Sequence, residues 1–326
     1  MVFPPLLMRR PVSFLRVISV FDVIVQAGGL ILCGVVWRAF RPLGLDADGV
    51  RRSLTGVVYV LLLPALVLSV LWRAPMGVDS LRIAGAATLG VLSGLVLAWL
   101  WYRRVRTARP LMGAMLLAAA FPNATYMGLP VLEAALGPWA RSVAIQYDLF
   151  ACTPLLLTLG MYLAAHYGAS EEKVHPLVAL LRVPPLWAAL AAVALNALDV
   201  PEPVLLRGAL DMLGAAVVPL MLFSLGLGLQ WTRDGAARLV AIAPVLVIQL
   251  ALVPLLVWLG GRGLGLADGL LTAVVLEAAM PSMVLGIVIC DRYRLDTAAY
   301  AIAVTLTTAA SLVTLPAWFG VLQGGM

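Results

Sequence analysis

The side chains best suited to chemistry lie inside long apolar stretches of the chain. Asn123 follows Pro122 in AAAFPNATYMGLPVL. Asp148 lies two positions after Gln146 in a further stretch, and Glu277 lies in LEAAMPSM. A charged side chain is expensive inside a membrane, so each of these carboxylates is a candidate for function. We interpret Asp148 and Glu277 as candidate proton carriers, with pairing to an arginine or a backbone group as the alternative.

Two of these stretches also carry residues that interrupt a helix. The helix-breaking prolines are Pro122 and Pro130 in the first stretch, with Gly128 between them, and Pro281 in the second. A proline inside a helix removes one hydrogen bond and clashes with the preceding turn. Each stretch is therefore predicted to form two half-helices joined by an extended segment, with the milder interruption in the second. A simple proline kink is the alternative.

A pair of broken helices predicts an anion site. The N–H groups that begin each second half-helix have no partner in the helix, and their dipoles favour a negative charge. Together with the Asn123 amide they would hold a carboxylate near the middle of the membrane. The predicted substrate-binding residues from these two stretches are Pro122, Asn123, Thr125, Gly128, Pro281, Ser282 and Met283.

Composition places these stretches in a membrane protein. Of the 326 residues, 63% are hydrophobic and 12% are charged, whereas a soluble domain is about 45–50% apolar and about 25% charged. A run of about 20 apolar residues is long enough to cross a bilayer as a helix. The sequence predicts an all-α membrane protein with ten transmembrane helices at 18–37, 54–72, 81–102, 110–135, 142–166, 176–198, 205–230, 237–260, 267–290 and 297–321.

Charge predicts the orientation and excludes some partners. The loops after helices 1, 3, 5, 7 and 9 hold more arginine and lysine than the opposite loops and tails, so they are predicted to be cytoplasmic, with both termini external. The expected location is the plasma (inner) membrane, with the lipid bilayer as partner. No nucleic-acid partner, metal or cofactor is expected, other than a proton as coupling ion, because the arginines lie in short loops and the two histidines form no metal-binding pair.

The chain also contains an internal repeat. LLLPALVLSVL around Pro64 matches AVVPLMLFSLGL around Pro219, an offset of 155, and AAFPN matches AAMPS at an offset of 159. Five helices per repeat is an odd number, so the second copy enters the membrane with inverted topology, as in many secondary transporters. The predicted repeats are 1–168 and 169–326, with broken helices 4 and 9 in equivalent places.

The stretches FPNATYMGLPVL, EAAMPSMVLGIVICDRYRLD and SLVTLP resemble the auxin efflux carrier family, which includes plant PIN-type carriers and bacterial relatives described as malonate or malate transporters. The resemblance implies the fold of bile-acid/sodium symporters. Helices 1, 2, 6 and 7 would be a scaffold, often dimeric, and helices 3–5 and 8–10 a transport domain that moves as an elevator. It also places Gln146 in the substrate site and implies a small organic anion as substrate.

Two other functions remain open. A sodium-coupled organic-anion symporter of the bile-acid type would use clustered oxygen ligands, for which Ser282, Thr125, Thr305, Thr307 and Thr308 are available. An intramembrane enzyme would need a catalytic pair such as Glu171 and Glu172, but these lie in a loop and no catalytic residue is predicted. The sequence therefore favours a carrier rather than an enzyme.

Overall fold

The computed structural model describes residues 12–169, 178, 181–229 and 235–324, and the secondary structure of these residues is helical apart from one isolated backbone bridge. Six of its helices are long and apolar enough to cross a bilayer, as expected of a multi-pass membrane protein. The helices are α1 (Val12–Phe40), α2 (Ala47–Arg73), α3 (Val78–Arg104), α4 (Arg109–Ala120), α5 (124–136), α6 (Ala140–Tyr167), α7 (Pro184–Ala197), α8 (Val204–Gly228), α9 (235–263), α10 (Asp268–Ala278), α11 (Gly286–Arg292) and α12 (Thr297–Gly324).

These helices lie where the apolar runs were predicted, with small differences at their ends. The largest is at α2, which begins at Ala47 rather than at residue 54, because the Asp46 carboxylate caps it and accepts the Gly49 N–H at 2.8 Å. The start of the predicted helix 176–198 and the Glu171–Glu172 pair lie outside the described residues.

Several helices contain a wider π turn just ahead of a proline. The turns Val58–Leu62, Ala124–Gly128, Asp148–Cys152 and Ile248–Leu252 each end two residues before a proline. Proline has no N–H and its ring collides with the carbonyl four residues back, and a widened turn accommodates both defects. The prediction that Pro130 breaks its helix is therefore wrong, because Pro130 lies at the second position of Leu129–Leu136, directly after such a turn.

Both predicted interruptions are present. Residues 121–123 separate α4 from α5, and residues 279–285 separate α10 from α11. The second interruption is the longer, so the expectation that it would be milder is wrong. The two extended segments pair as a short antiparallel bridge. The Asn123 N–H donates to the Pro281 carbonyl at 2.7 Å, and the Met283 N–H donates to the Phe121 carbonyl at 2.9 Å. We call residues 121–123 and 281–283 the crossing.

The crossing satisfies backbone groups that neither helix can satisfy alone. A buried N–H or carbonyl without a partner is costly, and water is excluded from the interior of a membrane protein. Phe121, Asn123 and Ser282 are buried, so the bridge replaces the helical hydrogen bonds that the two prolines remove. The crossing thereby fixes two distant parts of the chain against each other.

The helices pack in two groups, and α1 of the first group also contacts α5 and α12. In the first group, α2 contacts α7 and α8, and α8 contacts α1. In the second, α3 contacts α4 and α9, while α10 contacts α6 and α9 and α12 contacts α4 and α9. Gly94 allows α3 to approach α4 closely, because a Cβ added there would lie 2.9 Å from the Ala120 Cα. The crossing belongs to the second group and faces the first.

Candidate functional site

A small cavity of about 60 Å³ opens beside the crossing, between the two helix groups. We call it the crossing cavity. Its polar lining comes from Asn123, Thr125 and Asp148, with Tyr59 of α2 and Tyr126 of α5 on its walls. The first residues of α5 also line it, and N–H groups in the first turn of a helix have no partner within that helix. The site thus presents amide and N–H donors in a mainly apolar enclosure.

Asn123 is the most informative residue of this cavity. Its side chain is 3% exposed, and its Nδ2 atom has no hydrogen-bond partner among the described residues. Buried polar groups in proteins are nearly always paired, so an unpaired amide donor requires an explanation. An acceptor atom on a bound ligand, such as a carboxylate oxygen, would supply the missing partner.

Asp148 is held in place on the wall of the same cavity. Its carboxylate accepts a hydrogen bond from the Thr125 hydroxyl and another, at 2.9 Å, from the Thr153 hydroxyl. Thr125 donates its hydroxyl to Asp148, so its role here is to position that carboxylate. The structure therefore links the two halves of the predicted site, the broken helix and the carboxylate of α6.

The second side of the crossing is tied to the protein interior. Ser282 is fully buried; its hydroxyl donates to the Ala118 carbonyl at 2.6 Å, and its N–H donates to Thr307 Oγ1 at 3.2 Å. The Tyr300 hydroxyl donates to the Met283 carbonyl at 2.8 Å. The Gln249 amide of α9 donates to the Met280 carbonyl at 2.9 Å, which ties this segment to α9.

Glu277 lies behind the crossing. It is fully buried, and neither carboxylate oxygen has a hydrogen-bond partner among the described residues. The carboxylate packs against Gly128, where an added Cβ would lie 2.7 Å from Glu277 Cδ. Gly128 is therefore required for close approach to Glu277. It does not line the crossing cavity.

The cavity brings together only part of the predicted set. Pro122, Asn123, Thr125, Met283 and Asp148 line it. Pro281 contributes a carbonyl to the bridge, and Ser282 faces the interior. Gln146 is buried in a separate cavity that also includes Asp79 and Trp139. Within the described part of the chain, no three His, Cys, Asp or Glu residues gather as a metal site.

Sequence reasoning missed Tyr59, Tyr126 and two arginines. Arg51 and Arg52 line a larger cavity of about 310 Å³, which we call the arginine cavity. It shares Asn123 and both tyrosines with the crossing cavity, so the two cavities adjoin at these side chains. A signal was present in the helical spacing, because Tyr59 follows Arg52 by two helical turns and lies on the same side of α2.

A further cavity of about 670 Å³ lies on the other side of the crossing, and we call it the ion-pair cavity. Its charged residues are paired. Arg73 binds Asp211 at 3.2 Å, and Arg141 binds Glu133. This cavity ends at Leu129 and Pro130 and does not share a residue with the crossing cavity.

Comparison with known proteins agrees with this architecture. A family model described as membrane transport protein matches residues 30–319. An uncharacterized transporter of Methanothermobacter thermautotrophicus is 31% identical over 301 residues, which cover 90% of this chain and 95% of that protein. An uncharacterized transporter of Methanocaldococcus jannaschii is 24% identical over 219 residues, 64% of this chain and 67% of that protein. The chain belongs to the membrane transport protein family, that of the auxin efflux carriers.

Proposed function

We propose that this protein is a secondary transporter that carries a small organic anion, a mono- or dicarboxylate, across the plasma membrane by alternating access. The main support is the buried Asn123, which lines the crossing cavity and whose amide donor has no partner among the described residues. A carboxylate there would accept from Asn123 and from the first N–H groups of α5, which is the chemistry that favours an anion at a helix N-terminus. The carrier changes no covalent bond.

The cavities support an inverted repeat of two five-helix units, 1–168 and 169–326. Ser69 lines the ion-pair cavity and Ser224 lines the arginine cavity, and the two serines are separated by the same 155 residues as Pro64 and Pro219. Repeat-related positions thus line cavities on opposite sides of the crossing. Alternating access would open them in turn, and here the arginine cavity is the one that reaches Asn123.

The two packing groups support an elevator movement. Helices α1, α2, α7 and α8 would be the scaffold, and the crossing would move with the second group. The three cavities all lie between α2 or α8 on one side and the broken helices on the other. Exposed apolar side chains on α7 and α8, such as Trp187, Leu190 and Met212, would face lipid or a second copy in a homodimer.

Glu277 is proposed as the proton-coupling residue. An ionised carboxylate without a partner is costly to bury, and a bound proton removes that cost. Asp148 differs because two hydroxyl groups already donate to it. In proteoliposomes with an imposed pH gradient, Glu277→Gln is expected to transport at a rate independent of the gradient. Asp148→Asn serves as the comparison and is expected to lower substrate affinity while the response to the gradient persists.

A sodium-coupled carrier is the second candidate, because sodium could also neutralise the unpartnered Glu277 carboxylate. The same vesicles separate the two ions. Uptake driven by a sodium gradient at equal pH, and lost in Glu277→Gln, would favour sodium. Uptake driven by a pH gradient without sodium favours the proton.

The proposed function is tested by reconstitution. Purified protein in liposomes is screened for counterflow of labelled monocarboxylates and dicarboxylates, and the same compounds are screened for a rise in melting temperature, since only a ligand of the folded state stabilises it. At least one carboxylate is expected to exchange and to stabilise, and Asn123→Ala is expected to lose both effects. Equal exchange by Asn123→Ala would overturn the site.

A further inference from the structure

The entrance of the arginine cavity carries positive charge that the described residues neutralise only in part. Arg51 and Arg52 lie near the start of α2, and the cavity beside them continues to Asn123. Asp48 accepts two hydrogen bonds from Arg38, at 3.0 and 3.3 Å, and also lies 3.8 Å from Arg51. One carboxylate is therefore shared among several arginines and cannot balance the charge of all of them.

Both arginines retain donors for another partner. Arg51 Nε lies 3.8 Å from Asp48 and has no hydrogen-bond partner among the described residues. Arg52 is exposed and forms no ion pair with any residue in the described ranges. Two adjacent guanidinium groups with free donors are well suited to bind carboxylates, because each presents a planar fork of N–H groups.

The opposite cavity shows the contrast. Arg73 is bound by Glu202 at 2.6 Å and by Asp211 at 3.2 Å, and Arg141 is bound by Glu133. The ion-pair cavity therefore has arginines but no excess of free positive charge. A cleft lined by charge of one sign raises the local concentration of its counter-ion, and a cleft with paired charges does not.

The arginines are set apart from the crossing along α2. Arg52 and Tyr59 are seven residues apart, which is about 10 Å along a helix at its usual rise. The wall between them is mainly apolar and includes Met221, Leu225 and Leu285. The cavity therefore spans about two turns of α2, with the arginines at one end and Tyr59, which shares the lining with Asn123, at the other.

We propose that Arg51 and Arg52 form an anion-capture site at the entrance of the arginine cavity, which gathers carboxylate-bearing organic anions on one side of the membrane only. This inference rests on the proposed function for its physiological role, but the capture site is a property of the cavity itself. It makes the apparent substrate affinity higher from the arginine side than from the ion-pair side.

The test measures the electrostatic effect without requiring transport. Thr55→Cys places a thiol in the arginine cavity, in a Cys33→Ser background because Cys33 is exposed whereas Cys152 and Cys290 are buried. The thiol is labelled in detergent at low salt with an anionic (sulfonatoethyl) or a cationic (trimethylammonioethyl) methanethiosulfonate. The quantity measured is the rate of labelling by the anionic reagent divided by the rate of labelling by the cationic reagent. We expect this ratio to be about tenfold higher for the Thr55→Cys thiol than for a small thiol in solution, which is the lower end of the effect of a charged cleft. Molar salt should remove the excess.

Charge variants identify the source of the effect. R51Q/R52Q is expected to return the ratio to that of the free thiol, whereas R51K/R52K keeps it. R52Q alone should lower the logarithm of the ratio by about half as much as the double variant does. Because Arg52 is exposed, this single variant is expected to fold even if the double variant does not. The matched control is R103Q/R104Q, a second adjacent pair at the end of α3 that lines none of the three cavities; it should change nothing.

The outcomes separate this inference from the proposed function. A ratio that is unaffected by R51Q/R52Q, or equally affected by R103Q/R104Q, overturns the capture site even if liposomes carry carboxylates. A ratio that depends on Arg51 and Arg52, in a protein that moves no organic anion, supports the capture site and rejects the transport proposal.

Discussion

The two halves of the crossing use the same backbone device for different ends. In both, a proline follows the end of a helix and an extended segment pairs across the bridge. On the first half, Asn123 lines a cavity, and its buried amide donor has no partner within the described ranges. On the second half, the Ser282 hydroxyl and N–H both donate to buried groups of the protein, the Ala118 carbonyl and Thr307 Oγ1. A broken helix alone therefore does not make a binding site. A site also needs a polar side chain that the protein leaves unpaired.

This difference divides the crossing into a binding side and an anchoring side. The anchor holds residues 279–285, the longer interruption, through Gln249, Thr307 and Tyr300. A stretch with so few helical hydrogen bonds would otherwise carry unsatisfied carbonyls in a dry interior. Because the anchor fixes the second segment, the bridge can hold Asn123 at the cavity without using its side chain.

The sharpest test of this division is Asn123→Ala. It removes a hydrogen bond to a charged ligand, worth up to about 3 kcal/mol, and should reduce carboxylate counterflow by about 100-fold. The melting temperature in detergent should stay the same, because Nδ2 has no partner to lose in the part of the chain that the structure describes. A clear loss of stability with normal exchange per folded molecule would show that Asn123 is an anchor too.

Gly128→Ala tests the contact behind the crossing. The new methyl group would overlap with the Glu277 carboxylate, so the protein is expected to lose about 2–3 kcal/mol of stability, seen as a lower melting temperature. Glu277→Ala in the same chain makes room and should recover much of that loss, a coupling that a double-mutant cycle measures. Gly208→Ala is the control, because nothing lies within 4 Å of its added Cβ. Equal effects at Gly128 and Gly208 would contradict the contact.

Ser282→Ala should show the reverse of the Asn123 variant. The Ala118 carbonyl loses its donor from Ser282 in a fully buried place, which costs about 1–2 kcal/mol. The melting temperature should fall, while exchange per folded molecule changes little because Ser282 does not line the cavity. Exchange lost at an unchanged melting temperature would return Ser282 to the substrate site, where the sequence had placed it.

The sequence predicted the positions of both breaks, because prolines act on the backbone locally and apolar runs show which helices cross the membrane. Asn123 and Asp148 were also recognised, since polar residues are rare in such runs. The partners of Ser282 and Gly128 were not predictable, because Ala118 and Glu277 are each about 150 or more residues away in the chain. Gln146, which the family resemblance implied for the substrate site, lies two residues along α6 from Asp148 and lines a different cavity.

Gln249→Met tests the anchor with a smaller effect. Methionine fills a similar space but cannot donate to the Ala278 and Met280 carbonyls, so stability should fall by about 1 kcal/mol. Thermal unfolding in detergent measures the change, and counterflow should persist at near its normal rate. If exchange were abolished while the melting temperature stayed the same, Gln249 would belong to the transport pathway and not to the residues that anchor the second segment.

Pro130→Ala has the smallest expected effect and decides between the sequence interpretation and the structure. If Pro130 broke the helix, alanine would let α5 close into a regular helix and disturb the crossing, with loss of transport. In the structure the break ends at Asn123, and the π turn Ala124–Gly128 already accommodates the proline. Alanine restores an N–H at a position that remains helical, so stability should change by less than about 1 kcal/mol in either direction. Pro122 lies in the bridge itself, so Pro122→Ala is the comparison and should reduce counterflow more than Pro130→Ala does. Equal effects of the two substitutions would show that both prolines are needed to break the helix.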